Sequence, residues 1–91
     1  MANNAELNRY EVTVGDELAG FAEYMLTNDL ITFTHTEIDP AFEGQGLGSK
    51  LVRFALDDVR EQGDRKVLPL CPFVLGWMAK HPDYQDLHHA R

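Results

Sequence analysis

Only one cysteine, Cys71, occurs in the 91 residues, so no internal disulfide can form. A lone thiol fits a reducing compartment, where it serves either as a small core residue or as a reactive group. Metal-ligand spacing is missing as well: the four histidines are scattered, no second thiol accompanies them, and no metal is implied. Basic residues are few, eight against fifteen acidic ones, and the net charge of −7 has the wrong sign for phosphate backbones or anionic lipid. Neither nucleic acid nor a membrane surface is expected as a partner. No apolar run approaches the roughly 18 residues that span a bilayer, and the opening MANNAELNRYE lacks the basic patch and apolar stretch of a signal peptide. The expected location is the cytoplasm. Repeats, low-complexity tracts and Pro/Gly-rich linkers are absent too, so residues 1–91 are expected to form a single domain with an ordered core over about 9–87 and mobile ends.

What is present reads as a mixed α/β chain. Tyr10, Val12 and Val14 alternate with Glu11 and Thr13, the period of a half-buried strand, and Gly15-Asp16-Glu17 offers a turn. Residues 18–27 suit a second strand, closed by Asn28-Asp29. Residues 30–38, LITFTHTEI, are rich in β-branched and aromatic types, and strict alternation would put Ile31, Phe33, His35 and Glu37 on one face. Asp39-Pro40 ends this strand. From about Gly46 to Gln62, Leu47, Leu51, Val52, Ala55, Leu56 and Val59 recur at helical spacing, and Gly63 suits a left-handed cap. Lys66 to Leu70 makes a short buried strand, and Pro72 opens a helix that runs to about Lys80 before His81-Pro82. The order predicts mainly antiparallel N-terminal strands in a mixed sheet with helices packed on it.

The stretch Glu43-Gly44-Gln45-Gly46-Leu47-Gly48-Ser49-Lys50 joins the strongest strand to the strongest helix. Glycines allow positive φ and close backbone approach, while the first helical turn presents unpaired N–H groups and about half a positive charge. That combination binds phosphate, although three glycines can also serve only as a tight strand-to-helix turn. The nucleotide P-loop needs Gly-Lys-Ser/Thr where this chain has Gly48-Ser49-Lys50, and the third glycine comes one place too early for the dinucleotide fingerprint.

With the strand His35-Thr36-Glu37-Ile38 ahead of it and Leu70-Cys71-Pro72 and His81-Pro82 behind, this loop resembles the coenzyme A motif of the GNAT N-acetyltransferase superfamily, in particular its short single-domain members. The resemblance implies a GNAT-like α/β fold and acetyl-CoA as cosubstrate, with an amine as acceptor. It also implies a pyrophosphate resting on Gly44, Gln45, Gly46, Leu47, Gly48, Ser49 and Lys50, with the pantetheine arm beside the strand that ends at Ile38. Glu43 stands where the family commonly carries arginine or glutamine, and it is expected to point outward, away from the diphosphate.

Three residues are candidates for the chemistry. His35 can act as general base through its ordinary pKa near 6.5, or can be a hydrogen-bonded core histidine. Glu37, two residues on, is a second candidate base or a solvated carboxylate. Cys71 precedes a helix N-terminus, which favours a thiolate, and it matches a cysteine of the short subfamily; it is either nucleophile and acetyl carrier or a small buried hydrophobe. Lys50 and Arg53 could pair with the coenzyme's outlying phosphate, although a solvated helix face is the simpler account, with Arg53 able to pair with Asp57. Trp77 and Met78 read as core or pocket wall, and His88 and His89 as exposed tail residues. The resulting reading is an acetyl-CoA-dependent N-acetyltransferase; its alternative is a CoA-binding module without transferase activity, and a bland interaction domain is the third.

Overall fold

The computed structural model describes residues 1–89; Ala90 and Arg91, counted above in the single domain, lie outside the described residues. Five strands, β1 (Ala2–Asn4), β2 (Arg9–Val14), β3 (Glu17–Leu26), β4 (Leu30–Ile38) and β5 (Lys66–Pro69), form one sheet in chain order. The first four pair antiparallel and β5 adds in parallel to β4. Helix α1 (Leu47–Gln62) forms the connection between those parallel strands, as a parallel pair requires, and helix α2 (Pro72–Ala79) follows β5. The mixed α/β architecture read from the sequence is therefore the observed one. Among the described residues no helix is long and apolar enough to cross a membrane.

Both helices cover the same face of the sheet. Tyr10, Val12, Ala22, Tyr24, Ile31, Phe33 and Val67 meet Leu51, Val52, Leu56 and Val59 of α1 and Val74 and Met78 of α2 in one buried cluster. Buried hydroxyls are satisfied: Tyr10 Oη donates to Asp58 at 2.7 Å and Tyr24 Oη to Asn3 at 2.6 Å. Burial and the Asp58 carboxylate together push the Tyr10 hydroxyl far above its ordinary pKa, so it stays a donor.

Two expectations need correction. Regular structure extends on both sides of residues 9–87: β1 pairs with β2, held by Asn3 and by Asn4 Nδ2 donating to Glu11, and neither residue has the apolar alternation that marks a strand. At the other end a 3-10 turn (Pro82–Leu87) buries Tyr84 and Leu87, and His88 and His89, expected to be exposed, are half-buried beside β5, where the His89 amide donates to Val67 O at 2.8 Å. The second correction concerns the face of His35. Tyr24 pairs with Phe33 but Glu23 pairs with His35, so Thr34 is an extra residue in β4. This bulge reverses the alternation, because one inserted residue sends every later side chain to the other face. Ile31 and Phe33 face the helices, as do Thr36 and Ile38 beyond the bulge; His35 and Glu37 join Phe21 and Glu23 on the open face.

Gly20 sets the separation of β3 from the end of β4. A Cβ at this position would lie 2.5 Å from the Glu37 carbonyl oxygen and 2.4 Å from Ile38 Cδ1. Gly20→Ala is therefore expected to push the end of β4 outward and lower the unfolding free energy by about 1–3 kcal/mol, read as a lower denaturation midpoint at unchanged m-value. A midpoint equal to that of the parent chain would show that β4 is not held this tightly.

Candidate functional site

The loop after β4 is built from short local devices. Asp39 caps a 3-10 turn (Pro40–Phe42) by accepting from the Ala41 amide at 2.9 Å. Gly44 and Gly46 then take positive φ, +85° and +73°, a region that costs other residues about 1–2 kcal/mol. Gly46 is the N-cap of α1 and offers no side-chain cap, and no acidic residue occupies the first turn. The first amide in this stretch with a protein acceptor is Lys50 N, which donates to Gly46 O at 3.2 Å. Among the described residues nothing accepts from the amides of Gly44, Gln45, Gly46, Leu47, Gly48 or Ser49. A helix start with its donors free and its positive dipole end uncompensated has the chemistry to hold an anion.

Beside this loop lies an open cleft of about 390 Å³, lined by Ile38, Phe42, Leu47 and Phe73 together with Gly44, Gly46, Gly48 and Ser49. Gly48 leaves room for the Phe73 ring, since a Cβ there would stand 2.9 Å from the ring edge. Glu43 lies exposed on the cleft rim, while Gln45 and Lys50 are exposed outside its lining. Arg53 does not reach this region, nor does it pair directly with Asp57. It donates to Tyr84 Oη at 3.1 Å, and that hydroxyl donates in turn to Asp57 at 2.6 Å.

Beyond the cleft, β4 and β5 part. The two strands pair only from Leu30 with Lys66 to Phe33 with Pro69, and no strand pairs with Thr34 to Ile38 on that side. Cys71 sits where they part. Its amide donates to Phe33 O at 2.9 Å, its residue is 4% exposed, and its Sγ lies 3.4 Å from Thr36 Oγ1. Burial raises the thiol's pKa, but the Thr36 hydroxyl, the Thr36 amide and the amides of Phe73 and Val74 favour the thiolate, and the balance falls below the ordinary thiol value. The two α2 amides act at longer range, since no side-chain cap bond closes there. As a thiol, Cys71 donates to Thr36; as a thiolate, it accepts from it.

His35 and Glu37 form a pair of their own, Nε2 to Oε1 at 3.2 Å, with side chains 54% and 60% exposed. Phe21 lies beside the imidazole, ring centroids 6.1 Å apart. The bulge thus separates the two halves of the candidate chemistry. Cys71 meets Thr36 on the helix side of β4, and the His35–Glu37 pair lies across the strand on the open face. Thr36, Phe42 and Phe73 were not singled out in the sequence. Thr36 was legible only as part of a strand, and no pattern marks the two aromatics as walls of a cleft.

A sequence model described as GCN5-related N-acetyl-transferase matches residues 9–87. No curated protein sequence matches the chain. Among solved structures, a GCN5-like putative N-acetyltransferase from Staphylococcus aureus superposes with a TM-score of 0.71 at 24% identity, over 92% of this chain and 83% of that one. The ribosomal-protein-S18-alanine N-acetyltransferase from Escherichia coli gives 0.66 at 20% identity, over 77% of this chain and 48% of that one. A ribosomal-protein-alanine N-acetyltransferase from Brucella melitensis gives 0.60 at 17% identity, over 89% of this chain and 62% of that one. At such identities these likenesses speak to the fold, and the family match covers most of the chain. The chain belongs to the GCN5-related N-acetyltransferase family.

Proposed function

We propose that this protein binds acetyl-CoA through the Gly44–Ser49 cradle and transfers the acetyl group to an amine that approaches from the open face of the sheet. Membership of the family supports acyl-CoA-dependent N-acetyltransferase activity as the general class. The observation that carries the finer reading is the run of amides from Gly44 to Ser49 without protein acceptors, beside a cleft with apolar walls. When bound, acetyl-CoA supplies an acyl group activated as a thioester. The chain's own parts are then assigned as follows. The free amides hold the diphosphate, Ile38 and Phe73 flank the arm, and the unpaired edge of β4 offers it backbone hydrogen bonds between Thr34 and Ile38. Gln45 contributes through its amide, and Lys50 supplies a cation near the outlying phosphate.

On this reading the gap between β4 and β5 is the passage through which the acyl group is presented. Cys71 and Thr36 line its inner side, and His35 waits at its outer mouth. His35 takes the proton from the attacking amine, with Glu37 bonded to Nε2 and stabilising the imidazolium that results. Glu37 is also the proton acceptor in reserve. A thiolate at Cys71 is a nucleophile in place for an acyl-enzyme route, in which the acetyl group passes first to Sγ and then to the amine.

Two experiments test the assignment. After incubation with acetyl-CoA, mass spectrometry and free-thiol release should show CoA production that depends on an added primary amine. His35→Gln should slow that release by about a hundredfold, whereas Cys71→Ala abolishes it only on the acyl-enzyme route. Saturable CoA binding with no amine-dependent release in the parent chain would leave a CoA-binding module instead.

The second concerns the thiol. The rate of Cys71 alkylation by iodoacetamide should rise with pH through a midpoint below that of an ordinary thiol. The lowered pKa means more thiolate at neutral pH, and Thr36→Val removes a donor to it, so that variant's profile should move to higher pH. Coincident profiles for the two proteins would show that Thr36 does not tune the sulfur.

A further inference from the structure

Trp77 is buried on α2, yet its indole Nε1–H donates to Ser49 Oγ at 2.9 Å, beside the anion cradle. The other residues around the cleft are Ile38, Phe42, Glu43, Gly44, Gly46, Leu47, Gly48 and Phe73, so Ser49 carries its one side-chain proton donor among the described residues. A hydroxyl that accepts from an indole has that direction closed to its own proton. Its O–H must point elsewhere, and Ser49 faces the cleft.

The indole itself has little freedom. His81 stacks on it at 3.7 Å and 10°, and His81 Nδ1 is 2.6 Å from the Trp77 carbonyl oxygen. Tyr84 meets its edge at 5.0 Å, and the Arg53 guanidinium lies 5.2 Å from its ring centre. Three side chains from the turn after α2 and from α1 therefore fix where the Nε1–H points. Preorganisation of this kind matters at an anion site, because a donor already aimed loses no rotamer freedom when the anion arrives.

From this arrangement we infer that Trp77 is a positioning residue for coenzyme binding, orienting the Ser49 hydroxyl as a donor to the diphosphate. The inference rests on the acetyl-CoA reading of the Gly44–Ser49 cradle. It adds Trp77 and the segment from His81 to Tyr84 to the coenzyme site, although none of these three side chains lines the cleft. A packing role alone would make the indole interchangeable with any ring of similar shape.

Isothermal titration of coenzyme A into the parent chain, Trp77→Phe, Ser49→Ala and the double variant tests it. Ser49→Ala should weaken binding by about tenfold, the worth of one hydrogen bond to a charged group. Trp77→Phe should weaken it by about fivefold in the parent chain and not at all in the Ser49→Ala background, because the indole acts through a hydroxyl no longer present. Should Trp77→Phe fail to fold, benzothienylalanine at position 77 keeps the shape and removes only the N–H, and the same cycle is run with it. Equal losses in both backgrounds, or no loss in the parent chain, overturn the positioning role while leaving the coenzyme reading intact. Absence of coenzyme A binding in the parent chain overturns both.

Discussion

An extra residue in a β-strand decides where everything else in this site can be. Thr34 bulges from β4 between the Tyr24–Phe33 and Glu23–His35 pairs, and the inserted residue exchanges the two faces for the rest of the strand. Thr36 and Ile38 turn toward the helices, one to meet the Cys71 sulfur and the other to wall the cleft. His35 and Glu37 turn away from them. The ladder to β5 ends at the same level, for a reason visible in that strand: Pro69 has no amide to continue it, Leu70 swings out to 64% exposure, and Pro72 already belongs to the next helix. Bulge and parting together leave a backbone edge open in the interior of a sheet, a position where unpaired groups are costly unless something binds there.

The helix that receives the coenzyme on the proposed reading is unfinished in the same sense. Gly46 gives α1 no capping side chain, and replacing an Asn, Asp or Ser cap by a residue without one costs about 0.5–2 kcal/mol, less where the replacement is glycine. The 3-10 turn immediately before it is capped by Asp39, so capping chemistry is available a few residues away and is withheld from the cradle. The core does not depend on the missing cap. Leu51, Val52, Leu56, Phe33 and Met78 are fully buried in the core cluster, and none of them lines the cleft. The fold is therefore complete before an anion binds, and binding adds stability only by mass action.

Periodicity exposed the large elements and nothing finer. Tyr10 and Val12 in β2, the β-branched run of β4 and the three- and four-residue spacing in α1 all declare which face is buried, and their bounds in the structure lie within a residue or so of those read from the sequence. The glycine loop was legible because only backbone freedom explains three glycines at a helix start. Elements held by polar side chains were not: β1 is fastened by Asn3 and Asn4, and the turn Pro82–Leu87 by Arg60, which donates to Asp86 at 2.7 Å and to Asp83 O at 2.9 Å. Thr34 was hidden for a different reason. A bulged threonine looks like any other threonine in a strand, so alternation carried His35 to the wrong face, and with it the expectation that His35 lies beside Ile31 and Phe33. Gly20 gave no sign either, since what it makes room for is 17 to 18 residues away in the chain.

The open face also explains why a base is needed there if an amine is the acceptor. Glu23, Glu37 and the pair Arg9–Glu11 share it, and Arg9 is already committed to Glu11 at 2.6 Å and to the face of Phe21 at 4.7 Å. The uncompensated charge is negative, in keeping with the chain's net charge of −7. Such a surface draws a protonated amine and stabilises its proton, so the field that gathers the acceptor also holds it in the form that cannot attack a carbonyl. Attraction without proton removal would give binding and no transfer. On the proposed reading the His35 imidazole, paired with Glu37 on this face, would resolve that conflict by taking the proton locally, with the carboxylate stabilising the charge that moves onto the ring.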